Sequence, residues 1–115
     1  MPSHTPVLHI FPLFLPGQIV ATPAALELLQ QHHEAPGTFV RRHLQGDWGD
    51  VCPEDAELNN DAPELGQRVH SAYALGPSND KLRVITESDR SVTTLLLPED
   101  ANDAGPTRDL SRQKL

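Results

Sequence analysis

The chain has 115 residues and a mass of 12.6 kDa, a length that allows one domain. Its 9 basic and 16 acidic residues give a net charge of −7, which argues against a conventional nucleic-acid-binding surface. The single cysteine, Cys52, excludes a disulfide framework and a Cys-rich zinc or iron–sulfur site. We expect Cys52 to be a buried structural residue of a cytoplasmic protein.

The most apolar stretch, residues 7–20, is interrupted by Pro12 and Pro16. It is too short and too broken for a membrane-spanning helix, and it lacks the basic residues that begin a signal peptide. We therefore expect no membrane role. Because proline is tolerated at sheet edges, this stretch is predicted to form an extended arm or an edge strand, and residues 1–16 are assigned to the arm.

Two helices are predicted in the first half of the chain. Thr22 followed by Pro23 is a typical helix start, and the apolar residues that follow repeat at helical spacing to position 31 or 33. A second helix is predicted over residues 38–45, with Gly46 as its C-terminal stop.

A third helix is predicted to begin at Pro53, since acidic residues follow this proline at the favoured end. We expect Pro63 to end or bend this helix, because proline cannot donate the hydrogen bond that a helix interior requires. Gly66 is expected to close the segment.

From residue 68 onward, apolar residues alternate with others as in half-buried strands. Strands are predicted over residues 68–75, 81–86 and 92–97. The turns between them are short, so the strands form an antiparallel meander, since parallel pairing needs a long crossover. The sequence after Pro98 has few apolar residues, and residues 100–115 are predicted to form a disordered tail.

These elements predict an α+β domain over residues 17–99, with two or three short helices packed on one face of a three-stranded antiparallel sheet. The core is expected to draw on the large apolar residues of these elements: Leu28, Leu29, Phe39, Leu44, Trp48, Val69, Tyr73, Val84, Ile85, Leu95 and Leu97. This core is thin, so an exposed sheet edge would favour a homodimer.

Three stretches of the domain, residues 17–29, 42–50 and 86–98, resemble a family of small bacterial proteins that are labelled plasmid-related. The most specific motifs are Arg-His-x-x-Gly-Asp-Trp-Gly, which begins at Arg42, and Thr-Glu-x-Asp-Arg-Ser, which begins at Thr86. The resemblance covers the predicted domain without its arm and tail. It implies a shared fold and a link to mobile elements, and it assigns no catalytic residues.

The Arg-His-x-x-Gly-Asp-Trp-Gly motif contains the first candidate site. His43 and Asp47 lie four residues apart across a helix end, and a histidine beside a carboxylate can act as a general base with its orienting partner. In the structural alternative, His43 lies on the apolar stripe of its helix, Asp47 caps the turn, and Trp48 anchors the turn to the core. We favour the structural alternative.

The second candidate site is the turn between the last two predicted strands. Here Glu87 could serve as a base, Arg90 could hold a phosphate or carboxylate, and Asp89 could close the turn. The alternative is a solvated hairpin with a weak local Glu–Arg ion pair. If the two motifs meet in the fold, His43, Asp47, Glu87, Asp89 and Arg90 would line one polar cleft.

No metal or cofactor is expected from the sequence. It contains no Cys-x-x-Cys or His-x-x-x-His spacing, and it contains no phosphate-binding glycine loop. His32 and His33 are adjacent on a predicted helix, so their side chains point about 100° apart and cannot both join one site.

The negative charge is concentrated in one segment. Residues 47–64 hold seven acidic and no basic residues, whereas the two signs balance in the rest of the chain. Such a segment is often only a solvated face, but it also predicts a docking surface for a basic protein, such as a DNA-processing or defence protein. The predicted partner-binding residues are Asp50, Glu54, Asp55, Glu57 and Asp61.

Two functions remain open from the sequence. The first is a non-enzymatic accessory protein of mobile-element type, which binds a protein partner and does not contact nucleic acid directly. The second is a small enzyme or ligand-binding protein that uses the polar cleft. We favour the first, because each polar motif also has a structural explanation.

Overall fold

The computed structural model describes residues 12–100 and 108–110. In these ranges the chain forms the helices α1 (Pro23–Gln31), α2 (Pro36–Leu44) and α3 (Pro53–Leu65), and a short 3-10 helix over Pro98–Asp100. The strands are β1 (Gln18–Ala21), β2 (Val69–Leu75), β3 (Asp80–Thr86), β4 (Val92–Leu96) and β5 (Arg108–Asp109). None of the helices in the described ranges is both long and apolar enough to cross a lipid bilayer.

The sheet confirms the α+β class and is larger than predicted. β2, β3 and β4 form the predicted antiparallel meander, in which Val84 of β3 lies opposite Ser71 of β2 and Leu95 of β4. β1 and β5 extend this meander, so that the strand order is β2-β3-β4-β1-β5. The sheet is mixed, because β1 runs parallel to β4.

The N-terminal stretch was predicted as an extended arm or an edge strand, and the edge position is wrong for the strand that it forms. β1 lies between β4 and β5, with Ile19 opposite Thr93 of β4. The strand can pair on both sides because Pro16, which would remove a ladder hydrogen bond, precedes its first residue by two positions. Of the predicted arm, residues 1–11 lie outside the described residues, whereas Phe14 is buried against the domain.

The prediction of a disordered tail is wrong for residues 108–110. β5 pairs with β1 in antiparallel orientation, and the N–H of Leu110 donates to the carbonyl of Ile19 (2.5 Å). The Leu110 side chain is buried in the main core. Composition alone could not predict this pairing, because the described contact between this segment and the domain consists of two paired strand residues and one buried leucine. Residues 101–107 and 111–115 lie outside the described residues.

α1 and α2 cover one face of the sheet, here called the inner face. Thr22 caps α1 as predicted, since its Oγ1 accepts a hydrogen bond from the N–H of Ala25 (3.1 Å). α2 begins two residues earlier than predicted, because Pro36 takes the first helical turn. The core between the helices and the inner face contains Ala25, Leu29, Phe39, Val40, Tyr73, Leu82, Val84 and Leu95.

α3 lies against the outer edge of β2 rather than on the inner face. Pro63 was predicted to end or bend this helix, but the helix continues through it to Leu65. Pro63 lies in the last turn, where the loss of one N–H donor affects few of the helical hydrogen bonds. Gly66 closes the helix as predicted, with a left-handed φ of 64°.

The free edge of β2 is covered by two neighbouring segments. The side-chain amide of Asn59 in α3 donates to the carbonyl of His70 (2.7 Å) and accepts from its N–H (3.1 Å). Two residues further along β2, the N–H of Ala72 donates to the carbonyl of Trp48 (3.0 Å), and the carbonyl of Ala72 accepts from the N–H of Asp50 (2.6 Å). These bonds occupy backbone groups that an edge strand would otherwise offer to another chain. A homodimer formed through this part of β2 would have to displace them.

We expect Gly49→Ala to destabilise the protein more than Gly66→Ala. Both glycines have left-handed φ values, of 72° and 64°, which cost an alanine about 1–2 kcal/mol. A Cβ at Gly49 would also overlap the carbonyl oxygen of Ala72, whereas a Cβ at Gly66 would meet nothing within 4 Å. The extra overlap should cost Gly49→Ala roughly 1–3 kcal/mol more in urea unfolding followed by circular dichroism. Equal losses in the two variants would show that the backbones at Gly49 and Ala72 are not in close contact.

Candidate functional site

His43, the first candidate general base, is fully buried. It projects from α2 onto the inner face, where Nδ1 lies 2.6 Å from the Ser71 hydroxyl and Nε2 lies 2.9 Å from the Thr86 hydroxyl. Its ring is perpendicular to the Phe14 ring, and the two ring centroids are 5.2 Å apart. Both ring nitrogens are therefore used inside the core.

Two threonine hydroxyls connect Nε2 of His43 to a backbone carbonyl, and this carbonyl sets the direction of the hydrogen bonds between them. The Thr93 hydroxyl donates to the carbonyl of Pro16 (2.8 Å), because a carbonyl can only accept. Thr86 must then donate to Thr93 (2.6 Å), and Nε2–H of His43 must donate to Thr86. In a neutral ring Nδ1 is then unprotonated and accepts from Ser71. This hydroxyl–imidazole chain therefore selects the Nε2–H tautomer of the neutral His43 ring.

The surroundings of His43 also oppose its protonation. Burial, assisted by the positive charges of His70 and Arg90, lowers the pKa of His43 to about 3. A general base must reach its substrate and hold a proton near neutral pH. His43 does neither in this structure, and its contacts fit the structural alternative, in which it lies on the apolar stripe of α2.

Asp47, the predicted partner of His43, is exposed and faces away from the core. Its Oδ2 accepts a hydrogen bond from Nε of Arg42 (2.6 Å), and its Oδ1 accepts from the N–H of Gly49 (3.2 Å). The guanidinium of Arg42 in turn lies over the Tyr73 ring, 4.4 Å from its centroid. Asp47 therefore caps the turn as the structural alternative predicted.

Trp48 anchors this turn to the core, also as predicted. Its ring is buried and stacks near Phe14, with centroids 6.4 Å apart, and its Nε1–H donates to Asn60 of α3 (2.9 Å). The hydroxyl of Tyr73 donates to the carbonyl of Asp47 (2.6 Å), and burial raises the pKa of this tyrosine to about 12. Each polar residue of the motif has a structural partner.

The three candidates of the second motif lie in the turn between β3 and β4. Arg90 is half-buried and donates to three backbone carbonyls, those of Ala62 (3.0 Å), Gln67 (2.5 Å) and Glu87 (3.1 Å). These bonds tie the turn to the C-terminal end of α3, where carbonyls lack helical partners. Arg90 is therefore occupied by the protein backbone rather than poised for an anion.

Glu87 and Asp89 face solvent. Glu87 has a loose ion pair with Arg68, at 3.9 Å, and Asp89 accepts a hydrogen bond from the N–H of Ser91 (3.0 Å). Hydrogen bonds from Ser91 hold the pKa of Asp89 below its usual value. The predicted cleft of five residues is not formed, because His43 is inside the core while Asp47, Glu87 and Asp89 lie at the surface.

Four of the five predicted partner-binding residues are exposed, and the fifth, Asp55, is half-buried. Asp50 pairs with Lys81 (2.9 Å). Glu54, Glu57 and Asp61 are exposed on α3, whereas Asp55 is half-buried and faces the sheet. Their role in binding stays a prediction.

Cys52 was expected to be buried, and this prediction is wrong. The residue is exposed at the start of α3, with its Sγ 3.8 Å from a carboxylate oxygen of Glu54. In the described ranges, no three His, Cys, Asp or Glu side chains are grouped as a metal site would require.

Sequence reasoning missed a groove between α3 and the outer face of the sheet. The groove has a volume of about 420 Å³, and its lining includes Arg68, His70, Arg83 and Ile85 from the sheet side and Asp55 and Leu58 from α3. The alternation in β2 and β3 already placed His70 and Arg83 on the face opposite the core. Only the strand register and the position of α3 bring them into one groove.

Comparisons with protein-family models, with curated proteins and with solved structures found no match for this chain.

The buried His43 should make the free energy of unfolding depend on pH. The unfolded chain protonates this residue near its ordinary pKa of 6.5, whereas the folded chain does so only at about 3. Stability is therefore highest above pH 6.5 and falls towards pH 3, by up to roughly 1.4 kcal/mol per pH unit from this residue. Urea unfolding from pH 4.5 to 7.5 should show a smaller slope for His43→Gln than for the natural chain. Identical slopes would contradict the burial of a neutral imidazole.

Thr86→Val should destabilise the protein by about 1–3 kcal/mol, because it leaves the buried Nε2–H of His43 without an acceptor. The matched control is Thr94→Val on the outer face of β4, which should change stability by less than about 0.5 kcal/mol. Thermal unfolding of both variants measures the difference. A Thr86→Val protein as stable as the control would show that this hydroxyl is not a required acceptor.

Proposed function

We propose that the protein is a non-enzymatic accessory protein that binds a basic protein partner through the exposed face of α3. Two observations support this. The side chains that resembled catalytic groups are either buried in the core or bonded to the backbone, as described for His43 and Arg90. The outward face of α3, in contrast, combines carboxylates with exposed leucines.

The outward face of α3 has a regular pattern. Glu54, Leu58, Asp61 and Leu65 follow one another at spacings of four, three and four residues, which places them on one side of a helix. We call these four residues the acidic–leucine stripe. Glu57 and Glu64 lie beside the stripe and are also exposed.

The exposure of the two leucines is the observation that carries the proposal. Leu58 and Leu65 are 60% and 64% exposed, although they belong to a helix that buries Asn59 and Ala62. Complete burial of a leucine side chain is worth about 1.5–3 kcal/mol, so two leucines on one stripe offer a partner a useful apolar contact. Carboxylates around them favour a partner segment that carries lysine or arginine beside its apolar residues.

A basic partner agrees with the resemblance to plasmid-related proteins. Proteins that process or cut DNA carry positive surfaces, and an acidic protein can occupy such a surface by charge complementarity. We therefore propose a cytoplasmic role in a mobile element, with the partner a DNA-processing or defence protein. The net charge of −7 is consistent with a role that involves no direct contact with nucleic acid.

The proposal predicts that an amphipathic peptide of lysine and leucine binds the stripe. Replacement of three acidic residues, Glu54→Gln, Glu57→Gln and Asp61→Asn, should weaken binding by about tenfold or more in calorimetry. The natural chain should bind less tightly as the salt concentration rises, because exposed charges are screened. The amide signals of α3 should shift in NMR spectra on addition of the peptide.

The matched control carries Glu27→Gln, Glu34→Gln and Glu99→Gln, which remove the same charge from exposed positions outside α3. It should bind the peptide within about twofold of the natural chain. Equal weakening in the two triple variants would mean that total charge, and not the stripe, determines binding. A second pair of variants, Leu58→Ser with Leu65→Ser against Leu15→Ser, tests the apolar part in the same way.

A further inference from the structure

The groove between α3 and the outer face of the sheet contains an arginine without a partner. Arg83 lies near the middle of β3 and is half-buried, and within residues 12–100 and 108–110 it has no hydrogen bond or ion pair. An arginine in the middle of a strand is held more firmly than one on a loop. A half-buried guanidinium with five unused N–H donors favours an oxygen-rich anion.

A second group in the groove also lacks a partner. The Nε2 atom of His70 is buried, and no described group forms a hydrogen bond with it. His70 lies opposite Ile85 in the sheet, and Arg83 lies opposite Ala72, so the two polar side chains are diagonal neighbours on the outer face. Buried polar atoms are nearly always satisfied in native proteins, so an unsatisfied imidazole nitrogen next to an unpaired guanidinium draws attention to this groove as a binding site.

The remaining lining of the groove limits the shape of that ligand. Arg68 supplies a further cation at one end, where its one ion pair among the described residues is the loose pair with Glu87. Ile85 on the floor and Leu58 on the wall supply apolar surface. Asp55 contributes the one carboxylate in this lining, and it faces the same space as His70. An acid group would therefore bind at Arg83 with an apolar group against Ile85, and the Asp55 carboxylate in the same space opposes the binding of an anion.

We propose that this groove binds a small organic oxyanion, a carboxylate or phosphate ester, with Arg83 as its anchor beside the ring of His70. The guanidinium of Arg83 donates two parallel hydrogen bonds to the acid group. A volume of about 420 Å³ suits a ligand with one ring or a short chain besides its acid group. The site is separate from the proposed docking of a basic protein, although Leu58 borders both surfaces.

Benzoate, phenyl phosphate and inorganic phosphate are suitable probes for this site. Benzoate and phenyl phosphate distinguish a carboxylate from a phosphate site, and inorganic phosphate shows whether the apolar part contributes. The full chain is titrated with each probe at about 0.15 M salt, where long-range charge effects are screened. The NMR signals of the Arg83 side chain and of the His70 ring report binding directly. We expect at least one organic probe to bind with a Kd in the millimolar range or tighter.

Three variants separate this site from general attraction of anions. Arg83→Gln should weaken binding of the tightest probe by about tenfold or more, because a charged hydrogen-bond donor is lost. Arg41→Gln removes the same charge from an exposed position on α2 and should change the Kd by less than about twofold. Asp55→Asn should tighten binding by several-fold, because it removes a negative charge from the wall of the groove.

The two variants are expected to have opposite effects on binding. A folding defect cannot explain both, since a loss of structure cannot tighten binding. Binding that is weakened by Arg83→Gln and strengthened by Asp55→Asn would support the site. The proposal is overturned if no probe shifts the Arg83 or His70 signals up to about 20 mM, a concentration well above the expected Kd. It is also overturned if Arg83→Gln and Arg41→Gln weaken binding equally.

Discussion

The ring of His43 lies between α2 and the inner face of the sheet, and the hydroxyl–imidazole chain connects it to four other parts of the fold. Ser71 comes from β2, Thr86 from β3 and Thr93 from β4, and the Pro16 carbonyl precedes β1. A polar group inside an apolar core is costly unless every donor and acceptor is used. Each of these five groups has its partner only when the helix, the meander and the N-terminal segment are all in place. The chain therefore stabilises one specific arrangement of these elements.

The two motifs that carry the resemblance are both explained by contacts within the fold. In the first, Arg42 and Asp47 hold the turn, His43 occupies the core, and Gly49 allows the backbone to approach β2 closely. In the second motif, Thr86 belongs to the hydroxyl–imidazole chain, and Arg90 donates to a backbone carbonyl near the end of α3. Residue types typical of catalysis serve here to join separate elements. The residues proposed for binding lie outside these motifs, on α3 and on the outer face of the sheet.

The sequence was sufficient for the elements whose signals are local. The period-two alternation predicted β2, β3 and β4, the Thr22–Pro23 start predicted α1, and Gly66 predicted the end of α3. The missed features all depend on pairing between distant residues. β5 has two residues and carries almost no hydrophobic pattern, and β1 pairs with β4 across about seventy positions. The groove was missed for the same reason, since Arg83 and His70 become neighbours only through the register of β2 and β3.

The protonation state of His43 is the most direct test of the fold described here. Long-range nitrogen–proton NMR correlations of the labelled protein identify which ring nitrogen carries the proton. We expect a neutral ring with its proton on Nε2, unchanged from pH 7 to about pH 4.5, because burial lowers the pKa of His43 to about 3. A proton on Nδ1 would reverse the direction of the hydrogen bonds and contradict the donation of Thr93 to Pro16. Titration near the ordinary histidine pKa would contradict the burial of the ring itself.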